Sequence, residues 1–266
     1  MLFRSIILAA GLGKRMENAE IPKVLATIND NSTNSKNPLI YYVLKTAFEI
    51  NPEKICLIVG HKREVLIDYV ENDLTKKFNF LVNKNDIQNK IVFAIQAEQL
   101  GTGHAAFCAK NNFSDFDGNI LILSGDVPLL KSETLFSFIK NHNLQSADIS
   151  VLSANAENPY GYGRIVRDLN NNFEEIIEEK DASENQKQIK EINSGVYFLD
   201  SNLLFDLLSK VENSNNQNEY YLTDIIKIGK ISGKKVIAQN IAQIDEIQGI
   251  NTPQQLQEIE KIINKT

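Results

Sequence analysis

Ser5-Ile-Ile-Leu-Ala-Ala10, then Gly11-Leu-Gly-Lys-Arg-Met16 and, after five more residues, Pro22-Lys23, is the stretch on which the fold turns. Residues 5–10 carry no charge and read as a strand buried on both faces, the kind found in parallel sheets covered by helices. The run ends in small residues: Ala9, Ala10, Gly11 and Gly13 let a ligand approach the main chain closely. Backbone N–H groups in such a loop face an anion well, and Arg15 and Lys23 stand nearby as cations. The dinucleotide fingerprint G-x-G-x-x-G does not fit, because position 16 is Met, and the P-loop pattern G-x-x-x-x-G-K-[ST] does not fit either. A lone Gly-x-Gly after a strand is equally a plain strand–helix turn.

Outward from this stretch, residues 54–59, 92–96 and 119–124 repeat the pattern of short apolar runs bounded by Gly or polar residues. Between them the spacing predicts helices. Residues 39–50 place Leu39, Val43, Ala47 and Ile50 on one face, and residues 132–142 start on Ser132 as N-cap with Leu135, Phe136 and Ile139 inward. This alternation predicts an α/β, Rossmann-like doubly wound sheet. In the second half, residues 148–154, 163–167, 173–178 and 195–199 read as strands with few helices between them. Some extend the sheet, making it mixed, and some form a hairpin over a ligand. Residues 223–232 and 253–265 read as helices, and 29–37 and 83–89, rich in Asn and Lys, as solvated turns.

The 266 residues, 42% hydrophobic and 23% charged, suit an ordinary globular chain with room for a large core. A net charge of −6 without a basic block speaks against a nucleic-acid partner. Cys56 and Cys108 have no metal-ligand spacing and read as reduced thiols. No apolar stretch reaches the roughly 18 residues of a membrane span, and no secretory pattern opens the chain. The expectation is a cytoplasmic protein with no membrane partner.

Residues 8–25 resemble the signature of the sugar-1-phosphate nucleotidyltransferases, L-A-A-G-x-G-[TS]-R-[ML], with Pro22-Lys-Val-Leu25 after it. Gln96-Ala-Glu-Gln-Leu-Gly-Thr-Gly-His-Ala105 is similar to the nucleotide-binding segment of bacterial N-acetylglucosamine-1-phosphate uridylyltransferases, and Ser124-Gly-Asp-Val-Pro-Leu129 to their metal-binding segment. Tyr160-Gly-Tyr-Gly-Arg-Ile165, Ile177-Glu-Glu-Lys-Asp-Ala182 and Glu191-Ile-Asn-Ser-Gly195 resemble their sugar-binding segments, and Asn218-Glu-Tyr-Tyr-Leu-Thr-Asp224 and Gly249-Ile-Asn251 their closing motifs. These blocks keep the family's order along nearly the whole chain. The resemblance implies the nucleotide-diphospho-sugar transferase type of sheet in a single domain, residues 1–130 mainly binding nucleotide and 131–266 mainly binding sugar. It implies transfer of a uridylyl group from UTP to N-acetylglucosamine 1-phosphate. The acetyltransferase β-helix that usually follows in this family has no counterpart among these residues, so that activity and the trimer it holds together are not expected.

The roles that the resemblance implies are specific. Asp126 and Asn251 hold Mg2+; Arg15 and Lys23 neutralise the triphosphate. Leu8, Ala9, Ala10 and Gly11, with Gln96, Gly101, Thr102, Ser124 and Gly125, hold the nucleotide. Gly163, Glu178 and Asn193 bind the sugar. His104 is assigned no proton chemistry, and Tyr220 and Tyr221 are expected to pack beneath the site. The chain departs from the family in Lys14, where Thr or Ser is usual, in one extra residue before Pro22, and in longer stretches at 29–37 and 73–90. Three other readings stand beside this one: the same reaction with another sugar phosphate or dTTP, a non-catalytic sugar-nucleotide sensor, and a glycosyltransferase, whose D-x-D motif Ser124-Gly-Asp-Val127 lacks.

Overall fold

The structure, a computed structural model, describes residues 2–13, 16, 21–31, 34–78 and 89–265. Its centre is a mixed sheet. In chain order the strands are β1 (Phe3–Leu8), β2 (Thr27–Asp30), β3 (Ser35–Pro38), β4 (Ile55–Val59), β5 (Ile91–Ile95), β6 (Asn119–Ser124), β7 (Ile149–Asn155), β8 (Arg164–Arg167), β9 (Phe173–Ile177), β10 (Glu191–Asp200) and β11 (Val236–Asn240). The main sheet runs β11-β7-β10-β6-β1-β4-β5, with the β8–β9 hairpin attached through β10. All neighbours along that order are parallel except β10, which lies antiparallel to both β6 and β7.

Strand geometry distributes the core. Successive side chains point to opposite faces, so Ile7, Leu57, Leu121 and Leu123 pack into one layer. Ile6, Cys56, Ile58, Ile120 and Ile122 pack into the other. Ile6, Ile7, Leu57 and Ile58 are fully buried, each contributing roughly 1.5–3 kcal/mol relative to an exposed position. Cys56 and Cys108 are both free, and burial pushes the Cys56 thiol up to about 12. No helix among the described residues is long and apolar enough to cross a membrane.

Several expectations shift. β1 starts and ends two residues earlier than the apolar run, and β10 starts at Glu191 rather than 195. The helix Ser132–Leu144 has Lys131, not Ser132, in the N-cap position. On that helix Leu135 and Phe138 are buried, whereas Phe136 is exposed, because residues three apart share a helical face and adjacent ones do not. Residues 29–37 are not merely a solvated turn: β2 pairs antiparallel with β3, Thr27 opposite Pro38. The hairpin is held from outside. Ile28 is fully buried against Leu39, Ile250 and Ile259, and the Asn29 side chain donates to Glu260 at 2.7 Å. The other predicted turn, 83–89, lies outside the described residues except for residue 89. The helices Arg63–Asp68 and Ser201–Leu208 were not anticipated; the second is capped by Asp200, which accepts from the Leu203 N–H at 2.9 Å.

What matters for the site is the edge where parallel strands end. Leu8 is in register with Ser124 and with Ile58, and Val59 with Ile95. The chain therefore leaves β1, β5 and β6 on the same side, the usual place for ligands in open α/β sheets. The C-terminal helix Pro253–Ile263 brings its leading turn to this edge. It starts with a capping box between Thr252 and Gln255 and a Pro in the first turn. Gln255 also accepts from the Asn251 N–H at 2.7 Å, which fixes Asn251 just ahead of the helix.

Candidate active site

A cleft of about 700 Å³ opens at this edge. Leu8, Ala9, Ala10 and Gly11 line it on one side, and Gln96, Gly101 and Thr102 on another. Ser124, Lys23, Asp126 and Asn251 complete the predicted residues on its wall. Gly125 lies beneath: its N–H donates to the Leu8 carbonyl at 2.9 Å, and a Cβ there would come within 2.9 Å of the same oxygen. Arg15 lies outside the described residues.

Lys23, Asp126 and Asn251 converge from widely separated parts of the chain. The Lys23 ammonium donates to the Asp126 carboxylate and, at 3.1 Å, to the Asn251 carbonyl oxygen. Each partner is held by its own backbone. The Ile250 N–H donates to the Asp126 carbonyl at 3.0 Å, so the 249–251 turn is tied to the end of β6. Lys23 belongs to the short turn Lys23–Leu25, and Gly13 (φ +61°) folds so closely over it that a Cβ would lie 2.8 Å from the Lys23 Cβ.

The Gln96 side chain is buried just past the end of β5. Its amide donates to the Gly101 carbonyl at 3.0 Å and sits 3.1 Å from His104 Nδ1. Gly101 has φ +110°, and a Cβ there would stand 2.5 Å from the Tyr220 carbonyl and 2.8 Å from its nitrogen. The clash is with backbone because residues 100–103 and 220–222 are laced together. The Tyr220 N–H donates to the Leu100 carbonyl and the Gly103 N–H to the Tyr220 carbonyl, each at 2.8 Å, while the Leu222 N–H donates to the Thr102 hydroxyl at 3.0 Å. Gly101→Ala is expected to cost about 2–3 kcal/mol, combining overpacking with an unfavourable φ. Chemical denaturation checks this, and a loss under 1 kcal/mol would contradict it. Tyr221 is buried beneath these segments and its hydroxyl accepts from Gln217 at 2.8 Å.

Gly163, Glu178 and Asn193 form a second group, beside the cleft rather than on its wall. A Cβ on Gly163 would meet Asn193 Cβ at 3.5 Å and Glu178 Oε1 at 3.6 Å. The Asn193 amide donates to the Tyr197 hydroxyl at 2.8 Å and its oxygen accepts from the Gly195 N–H at 3.0 Å. Gly195 abuts Ser124: a Cβ on it would lie 2.9 Å from the Ser124 hydroxyl. Glu178 accepts from the Thr223 hydroxyl at 3.2 Å. Burial pushes its carboxyl up, opposed by that hydrogen bond and reinforced by Asp181, Asp224 and Glu219. Arg164, fully buried next to Gly163, forms an ion pair with Glu179 at 2.6 Å.

Glu178 and Asp224 face a further cavity of about 490 Å³. Burial, opposed by Lys227 and reinforced by Asp181, pushes the Asp224 carboxyl from 3.8 up to about 6. A raised carboxyl binds its proton more readily in the folded chain. The contribution of this one group is thus most favourable below pH 3.8 and falls as pH rises to about 6, above which its charged form is a standing cost. Asp224→Asn is expected to raise the melting temperature at pH 7 and to lose that advantage below pH 4. Melting curves across pH 3–8 check this; equal curves at pH 7 would contradict it.

Sequence reasoning passed over several residues that share this space. Gln99, Lys180 and Gln217 line the cleft, Lys180 donating to the Gln217 side-chain oxygen. Tyr162 sits near Asp126 and Gly249; burial pushes its phenol up, the Gly249 backbone opposes, and the Asp126 carboxylate adds to the rise. Lys180 and Tyr162 each stand inside a segment already singled out, so their place in the motif was the available signal.

The profile of the nucleotidyl transferase family matches residues 4–241. The chain belongs to this family. Among curated proteins it is similar to the bifunctional protein GlmU of Geotalea daltonii, 42% identical over 259 residues, which are 97% of this chain and 52% of that protein. It is also similar to GlmU of Streptococcus mutans, 35% identical over 261 residues, 98% of this chain and 52% of that one. The chain thus spans about half the length of these curated relatives. Among solved structures, a UDP-glucose pyrophosphorylase complexed with UDP-glucose superposes with a TM-score of 0.78 at 20% identity, covering 98% of each chain. A putative glucose-1-phosphate thymidylyltransferase from Bacillus anthracis gives 0.75 at 17% identity, covering 99% of this chain and 96% of that one. These two share the fold, a mixed α/β sheet with helices on both faces.

Proposed function

We propose that the chain transfers a uridylyl group from UTP to N-acetylglucosamine 1-phosphate, forming UDP-N-acetylglucosamine and pyrophosphate. The observation that carries the proposal is the meeting of Lys23, Asp126 and Asn251 on the wall of one cleft. The similarity to GlmU proteins supports the choice of nucleotide and sugar. In this reading residues 1–130 serve mainly the nucleotide and 131–266 mainly the sugar.

The chemistry asks for little beyond positioning and charge. A phosphate monoester has its second pKa near 6, so the attacking oxygen is already ionised at neutral pH. No general base is required, and the obstacle is the approach of two anions. Lys23 supplies one positive charge at the reacting phosphates and Arg15 a second. The backbone of Leu8 to Gly11 faces the nucleotide closely because Ala9, Ala10 and Gly11 have little or no side chain. Gln96 reads the base, and Gly101 and Thr102 shape the wall around it. Ser124 and Gly125 keep the end of β6 against that wall. Gly163 leaves space for the sugar, while Glu178 and Asn193 divide its polar groups between an acceptor and an amide.

The Asp126 carboxylate and the Asn251 carbonyl already aim at one cation, the Lys23 ammonium, and both are hard oxygen donors. That pair fits Mg2+, which takes few protein oxygens and leaves other positions to water and phosphate. When bound, the ion withdraws negative charge from the phosphate oxygens.

The test is pyrophosphate release from UTP and N-acetylglucosamine 1-phosphate with and without Mg2+, run beside glucose 1-phosphate, galactosamine 1-phosphate and dTTP. Magnesium-dependent release that favours the first pair is expected. Faster release with another pair would overturn the substrate assignment. No release with any pair, from folded protein that binds UTP, would favour a sensor.

A further inference from the structure

We infer that His104 is a positioning residue that fixes the Gln96 amide with its oxygen toward the cleft, and so selects a pyrimidine ring bearing an N3 proton over one lacking it. The inference rests on the reading of the cleft as the nucleotide site.

The hydrogen bonds leave one arrangement. The Gly101 backbone oxygen only accepts, so the nitrogen of the Gln96 amide must face it, at 3.0 Å. The second N–H of that nitrogen meets His104 Nδ1 at 3.1 Å, which must then accept. The imidazole proton therefore sits on Nε2, which lies 4.0 Å from the Cys108 sulfur, a weak acceptor. The imidazole is held beside the Tyr220 ring, with centroids 6.4 Å apart and planes inclined by 39°. Both amide donors are consumed inside the protein. Gln96, only 3% exposed yet on the cleft wall, has its oxygen left to offer a ligand, and an oxygen only accepts.

A uracil ring donates from N3–H and satisfies that oxygen. A cytosine ring carries a lone pair at N3 and would oppose acceptor to acceptor, leaving both unpaired. Turning the amide over would accommodate cytosine, but it would set oxygen against the Gly101 carbonyl and require the His104 proton to move to Nδ1, away from the Cys108 sulfur. The Gly101 contact is backbone and survives side-chain substitution. His104 is thus the tether that a variant can remove.

The experiment measures kcat/KM for UTP and CTP, with the same sugar phosphate, in the intact protein and in His104→Leu, His104→Asn and Gln96→Leu. Leu matches the bulk of imidazole without a nitrogen; Asn places an acceptor the same number of bonds from the backbone as Nδ1. His104→Leu is expected to lower the UTP-to-CTP ratio roughly tenfold or more, and His104→Asn to restore most of it. Where a variant turns over too slowly, calorimetric affinities for UDP and CDP read the same ratio. A His104→Leu ratio within twofold of the parent's, with Gln96→Leu collapsed, would overturn the role of His104 alone. An unchanged ratio in Gln96→Leu would overturn the inference together with the placement of the base at Gln96. A fall in kcat/KM for UTP and for CTP by equal factors, unrelieved in His104→Asn, would show that His104 acts only through the fold.

Discussion

Asp126→Asn is expected to lower kcat for pyrophosphate release by roughly 10³-fold or more, with the fold intact. Asn has the same shape and keeps an oxygen that accepts from the Lys23 ammonium. The backbone tie from Ile250 N–H to the 126 carbonyl does not involve the side chain. What disappears is one negative charge, from the point where Asn251 and Lys23 also converge. A neutral amide holds a divalent cation poorly, and Lys23 loses the anion that aligns it. Two losses thus fall on the same step. Steady-state assays over a magnesium titration, beside a melting curve, measure them. A variant within tenfold of the parent at saturating Mg2+ would remove Asp126 from the mechanism.

Arg164→Leu is expected to destabilise the chain by about 3–5 kcal/mol. The Arg164 guanidinium is 1% exposed and holds together parts of the sheet's appendage. It donates to the Tyr162 carbonyl, to Glu179 at 2.6 Å and to the Lys187 carbonyl at 3.4 Å. Glu179 in turn accepts from the Gly161 N–H at 3.1 Å. Leucine fills part of the volume but strands a carboxylate that is only 18% exposed and leaves the two carbonyls without this donor. Removing Glu179 as well, in Arg164→Leu with Glu179→Leu, is expected to recover part of the loss, since the uncompensated charge goes with it. Urea denaturation of the parent, single and double variants gives the coupling. A single-variant loss under 1 kcal/mol would show that the pair is not a structural tie. Gly163 and Glu178 adjoin Arg164 and Glu179 in sequence, so under the proposed function the surviving folded protein should also show a larger rise in KM for the sugar phosphate than in KM for UTP, relative to the parent.

The pattern of apolar runs made the parallel half of the sheet legible, and residues 119–124 emerged with the observed ends of β6. It blurred where charge or small residues intervene. Arg4 belongs to β1 although it is charged, because Glu53, Asp115 and the Phe116 ring, 4.3 Å from its guanidinium, take it up from distant parts of the chain. The apolar run predicts a strand from Gly195, yet β10 starts at Glu191 and passes through Asn193-Ser-Gly195 with a shift of register between Asn193 and Tyr197. The hairpin of β2 and β3 buries Ile28, whose partners Leu39, Ile250 and Ile259 come from elsewhere in the chain, the last from the C-terminal helix. For the site, Lys23, Asp126 and Asn251 each carry a local motif, whereas their convergence is a property of three loops at one sheet edge. A Gln96 amide can by its chemistry both donate and accept, yet both of its donors are engaged by Gly101 and His104. That depends on hydrogen-bond directions no spacing encodes.

The antiparallel β10 between β6 and β7 also has a consequence for biosynthesis. A ribosome that has delivered the chain through residue 190 has completed β6 and β7 but not the strand that lies between them. Both then offer an unpaired edge, with Leu121 and Val151 among the apolar residues beside it, and no strand made so far bridges them. Before β11 adds at the outer edge of β7, the two halves of the sheet are joined by the insertion of a ten-residue strand into a slot. Only then do residues 220–222 reach Leu100 to Gly103 and set the wall of the cleft. The nascent protein therefore passes through an interval in which it is prone to strand exchange with neighbouring chains and has no formed nucleotide wall, and helper proteins that shield strand edges during synthesis would matter most in that interval.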